Sequence, residues 1–187
     1  MASVADCPIM FLDVDGVLIP LRARPTEATS VEGCAALPVD DDAGNPLLGR
    51  LDQEDGRRLL SLGCQLVWAT TWMSDANELV APRLGLPELP VVDFPDDDGK
   101  PEHGLHWKTR FLIRWAAGRT FVWLDDEVTD ADRRWVRANY AGNALLHRAD
   151  PTVGVTATDF EAIRRWIGRA SKSWRSTRFG TGATPTA

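Results

Sequence analysis

Two carboxylates, Asp13 and Asp15, follow the apolar run Ile-Met-Phe-Leu in the segment Ile9 to Gly16. Side chains two apart on a strand share a face, so both acids project the same way from its end. Gly16 frees the backbone for a sharp exit and a close approach to a ligand. Two like charges held together favour a bound cation or a shared proton. A carboxylate placed there can also act as the nucleophile in phosphoryl transfer, forming an aspartyl-phosphate. Asp after a strand is in addition a common turn former. A calcium loop is excluded by its flanks, because Phe-Leu and Val-Leu stand where further oxygen ligands would have to be.

Three more signals share this character. Val67-Trp68-Ala69 stops at Thr70 and Thr71, hydroxyls able to donate to a phosphoryl oxygen. Val122-Trp123-Leu124 stops at Asp125-Asp126-Glu127. Adjacent acids at a buried strand end need a positive partner, and Mg2+ suits a site of two or three carboxylates plus a substrate phosphate. Lys108 lies near the start of the helix leading into that strand and is one of three lysines among 21 basic residues. A surface lysine is the plainer reading of it.

The elements that must position these residues alternate. Apolar strands are predicted at 8–12, 64–69, 89–92, 120–124 and 143–147. Helices are predicted at 52–61, 74–84, 105–116 and 130–139, with a last one at 158–169 capped by Thr158 and Glu161. Continuous apolar strands between helices predict an α/β fold, a Rossmann-like three-layer sandwich with a mostly parallel sheet. Ligands in such folds sit at the carboxyl ends of the strands.

At 187 residues the chain suits one domain, taken as 1–179, with a disordered Gly/Thr/Pro tail over 180–187. The net charge of −6 gives no overall polycation footprint for nucleic acid. From Ile163 to Arg178, however, six basic residues occur with no acid, readable as a solvated helix face or as a phosphate-backbone contact. Either acidic triplet, at 40–42 or 96–98, could hold a cation, but a solvated loop is the plainer reading of both. Three cysteines without a C-x-x-C pair suggest neither a disulfide framework nor a zinc site. With no leader pattern and no membrane-length apolar run, a cytoplasmic protein is expected, and the arginine bias suggests a GC-rich bacterial genome. The oligomeric state is not legible.

Taken in order, Asp-x-Asp-Gly-Val, a strand ending in Thr, a helix with Lys, and Asp-Asp resemble the haloacid dehalogenase (HAD) superfamily of phosphohydrolases over about residues 8 to 167. The wording Leu-Asp-Val-Asp-Gly-Val-Leu, Trp-Ala-Thr-Thr-Trp and Trp-Leu-Asp-Asp-Glu is most similar to the bacterial branch that includes the phosphatase-like domain of RNA-repair proteins. The resemblance implies Asp13 as nucleophile and Asp15 as acid and then base. It implies Thr70 and Lys108 as holders of phosphoryl oxygens, with Thr71 able to take the role of Thr70. Mg2+ would be bound by Asp13, the backbone carbonyl of Asp15 and Asp126, with Asp125 alongside or behind. Residues 20–50 look like a long loop in place of a folded cap, which leaves the site open to a macromolecular end or to a partner subunit acting as lid.

Of eight tryptophans most should be core, and Trp72 and Trp107 are candidates for a platform on which a base stacks. The expected substrate is a phosphorylated nucleic-acid end or nucleotide. Rivals are a sugar-phosphate or metabolite phosphatase, a phosphotransferase or mutase, and a non-catalytic phosphate-binding module.

Overall fold

A computed structural model describes residues 7–22, 45–94 and 104–179. The expected acidic loops at 40–42 and 96–98, most of the cap-replacing segment and the tail beyond 179 lie outside these residues.

Four strands form one all-parallel sheet in the order β2-β1-β3-β4: β1 (Ile9–Leu12), β2 (Gln65–Trp68), β3 (Phe121–Asp125) and β4 (Ala144–Arg148). The register pairs Leu12 with Trp68 and Leu124, and Leu124 with His147, so all four carboxyl ends reach the same edge. The apolar runs have no polar alternation because both faces are covered. Met10, Leu12, Leu66, Trp68, Val122 and Leu124 belong to one buried cluster with Leu59 of α1 (Gln53–Ser61), Leu84 of α2 (Ala81–Leu84), and Phe160 and Ile163 of α5 (Ala157–Phe179). Ile9, Phe11, Val67, Phe121, Trp123 and Leu146 belong to another with Leu112 of α3 (Thr109–Ala116) and Val136 of α4 (Asp130–Asn139). The architecture is the predicted α/β sandwich.

Three local expectations are corrected. The strand predicted at 89–92 is reduced to a single bridge between Val91 and Trp68, because Pro90 has no N–H to give a ladder. The helix predicted at 74–84 is instead a wide π-type turn over Ala76–Val80 followed by the short α2, whose Pro82 lacks the N–H that an α-helical turn would use. The last helix is capped two residues earlier than predicted. Thr156 and Asp159 form the reciprocal pair, with Thr156 N–H and Oγ1 both donating to Asp159 Oδ2 and Asp159 N–H to Thr156 Oγ1. That helix runs on to Phe179.

Candidate active site

The site is assembled where β1 and β3 end. The Asp13 N–H donates to Leu124 O, which ties the β1 exit to its neighbour. The chain then turns through Gly16, at φ +68°, and closes with Ile19 N–H on Val14 O. Asp13 is buried and Asp15 exposed, yet both line one pocket of about 210 Å3 with Gly16, Leu21, Thr71, Trp107, Lys108, Asp126 and Glu127. A larger cavity of about 450 Å3, between α4 and the edge strand β4, is lined by Arg133, Arg137 and Trp166 and contains no carboxylate.

Lys108, only 2 % exposed, bridges the two strand ends. Its Nζ donates to Asp13 Oδ2 at 2.5 Å and to Asp125 Oδ2 at 2.8 Å. Burial opposes the ammonium charge, but the two carboxylates outweigh it and raise the lysine pKa. Asp125 is fully buried. Burial alone would raise its pKa, but Lys108 holds it below the usual carboxylate range. Its remaining acceptors take the Glu127 N–H at 2.8 Å and Trp123 Nε1 at 3.1 Å. Asp13 is pushed up to about 7 by burial, with Lys108 opposing the shift and Asp125 adding to it.

Asp126 is half-buried, its pKa raised by burial and by Asp125 next to it. No other described residue donates to its carboxylate, whereas both Asp125 oxygens are occupied. Ligand atoms of Asp13, Asp125 and Asp126 lie within 4.8 Å of one another, a separation that one small cation spans. Gly16 makes this possible, since a Cβ there would sit 2.4 Å from Asp126 Oδ2.

The hydroxyls and indoles divide their tasks. Thr71 is exposed on the pocket wall, while Thr70 is buried and accepts the Trp72 N–H at 3.4 Å. Trp107 lines the pocket, its ring 5.5 Å from Lys108 Nζ. Trp72 is turned elsewhere, and its Nε1 donates to Asp15 Oδ2 at 2.8 Å.

A family model described as the HAD domain in Swiss Army Knife RNA repair proteins matches residues 9–160. The chain belongs to this family. No curated protein and no solved structure matches it. HAD membership places the chain among phosphatase-type hydrolases, and such domains generally use Mg2+, which the acidic cluster could hold.

In this HAD domain two groups contribute that sequence reasoning missed. Asp132 is fully buried and accepts four donors: His106 N–H, Thr109 Oγ1, Thr129 N–H and Thr129 Oγ1. It thereby caps α4 and fastens the turn carrying Lys108 to it. Thr129-x-x-Asp132 could have been read as a capping pair, but not its second task. His106 and Glu127 form a pair at 2.9 Å beside the pocket, with no local signal to announce it. Among the described residues no helix is long and apolar enough to cross a membrane.

Proposed function

We propose that this HAD domain is a Mg2+-dependent phosphatase that works through an aspartyl-phosphate on Asp13. The observation that carries the reading is the Lys108 bridge between Asp13 and Asp125, with the uncommitted Asp126 beside it. A pure binding site for phosphate has no need to crowd three acids where the anion must sit.

Asp13 attacks phosphorus, and the bond from phosphorus to the leaving oxygen breaks. Asp15 gives that oxygen its proton. Asp15 then takes a proton from water, which attacks the aspartyl-phosphate and releases Asp13 and inorganic phosphate. Lys108 screens Asp13 from the incoming phosphate, and Thr71, exposed on the pocket wall, offers its hydroxyl to a phosphoryl oxygen in the role the resemblance gives to Thr70, which is buried behind it. Asp13, Asp126 and the Asp15 carbonyl would hold Mg2+, with Asp125 fixed behind them; the ion would neutralise charge on the phosphoryl group.

For substrate we propose a phosphorylated nucleic-acid end or nucleotide. The family's occurrence in RNA repair proteins and the Trp107 ring on the pocket wall support this choice. The free thiols of Cys7 and Cys64 fit a cytoplasmic setting.

The test is hydrolysis of an aryl phosphate with Mg2+ and with chelator, followed by a panel of 3′- and 5′-phosphorylated oligonucleotides, nucleotides and sugar phosphates. Activity should need the metal, and Asp13→Asn should lower kcat by about a thousandfold or more with the fold intact. An Asp13→Asn protein retaining a tenth of wild-type turnover would sink the covalent mechanism. Preference for sugar phosphates would transfer the substrate assignment to a metabolite.

A further inference from the structure

The geometry points to Trp72 as a positioning residue for proton transfer. Its indole N–H selects the orientation of Asp15 from which that carboxyl serves the leaving oxygen. This rests on the acid role given to Asp15 above.

Asp15 sits exposed on the turn after β1, where an Asp side chain has several open rotamers. Among the described residues no other side chain donates to it, so the 2.8 Å bond from Trp72 Nε1 to Oδ2 is what chooses between them. The indole is itself well anchored. Trp72 is half-buried against the cluster that contains Leu12 and Trp68. Its backbone N–H donates to Thr70 Oγ1 at 3.4 Å, and its backbone carbonyl accepts the Asp75 N–H at 3.0 Å. Leu12 and Trp68 are register partners, so Asp15 and Trp72 lie on the exits of adjacent parallel strands, three and four residues beyond that pair. The brace leaves Asp15 Oδ1 free of side-chain donors among the described residues. Asp15 can therefore be held by one oxygen while the other gives and takes the proton. An indole turned this way does not line the pocket, which leaves Trp107 as the ring facing a substrate.

The test uses Trp72→Phe, which keeps an aromatic ring and loses the N–H, with Asp15→Asn and the double variant. kcat/KM is measured with Mg2+ on 4-nitrophenyl phosphate, whose leaving group departs without protonation, and on an alkyl phosphate, whose leaving group needs the proton. This constant reports events up to formation of the aspartyl-phosphate, and the ratio between substrates cancels any loss of folded enzyme. Trp72→Phe should lower the alkyl value about tenfold and the nitrophenyl value less than about threefold. In the Asp15→Asn background the same substitution should change neither.

Equal loss on both substrates, no loss on either, or a loss that persists without Asp15 overturns the positioning role. If Asp15→Asn is selective against the alkyl phosphate while Trp72→Phe is not, the brace falls and the acid role stands. An Asp15→Asn enzyme with wild-type turnover of the alkyl phosphate overturns both.

Discussion

At Gly16 the β1 exit passes against Asp126, and the approach leaves no room for a methyl group. A Cβ would meet Asp126 Oδ2 at 2.4 Å and its Cγ at 2.5 Å, and the φ of +68° is one that other residues rarely adopt. Gly16→Ala should therefore push the Asp126 carboxylate away from Asp13. We expect it to raise the Mg2+ concentration needed for half-maximal aryl phosphatase activity about tenfold or more, read from a metal titration. Asp126→Ala should abolish Mg2+-dependent turnover, and Ca2+ should not replace Mg2+ in the unaltered protein, because the larger ion takes more ligands at longer range. An unchanged Mg2+ titration in Gly16→Ala would remove Asp126 from the metal site. Asp125 presents the opposite case. With Lys108, Trp123 and Glu127 all donating to it, Asp125 is placed to hold Lys108 against Asp13.

Between elements, Asp132 does what no residue of the pocket can. It caps α4 through Thr129 and, through His106 N–H and Thr109 Oγ1, fixes the turn from which Lys108 reaches Asp13. Burial works against its charge, but the Thr109 and Thr129 hydroxyls and the two backbone N–H groups hold its carboxyl below the ordinary range. A depressed folded pKa means that this contribution is present above the unfolded value of about 3.9 and is lost as pH falls through the folded value. Asp132→Ala should cost about 2 to 3 kcal/mol in urea unfolding at pH 7, with a smaller difference from wild type in strong acid. Because the Lys108 turn loosens, kcat should fall as well, though Asp132 touches no substrate. Equal unfolding midpoints at pH 7 would show that the four bonds add nothing.

The same contacts explain what the chain discloses on reading. Ile9–Leu12 and Phe121–Leu124 are legible because a run buried on both faces must be apolar throughout, and an acid at its end is conspicuous. The task of Asp132 depends on partners 23 and 26 residues away that no local spacing encodes. The failed strand at 89–92 and the wide turn before α2 share another cause. Pro90 and Pro82 each withhold one N–H, which apolar periodicity does not register.

At the scale of the whole molecule, the question is whether the basic stretch from Arg164 to Arg178 can serve the site. α5 begins at the active edge, where His147 at the end of β4 binds Asp159 at 2.7 Å and Val155 N–H donates to Val17 O. From Ala157 the helix descends at 1.5 Å per residue, so Arg164 lies about 10 Å lower. There it donates to Ser61 at the end of α1, next to where β2 starts, at the edge opposite the carboxylates. Arg165 and Arg169 are exposed beyond that level, and the rest of the basic run follows further along the helix. A small substrate in the pocket cannot reach them. Neutralising Arg165, Arg169, Lys172, Arg175 and Arg178 together should therefore leave KM unchanged for an aryl phosphate and for a phosphorylated dinucleotide. Only a long oligonucleotide, draped from the pocket across the sheet edge, should bind less tightly, and each lost contact should reduce its salt slope by about 0.7. A raised KM for the dinucleotide would mean that the strand enters along α5. No change even for the long oligonucleotide would leave the arginines as a solvated helix face and confine recognition to the pocket around Asp13, Trp107 and Lys108.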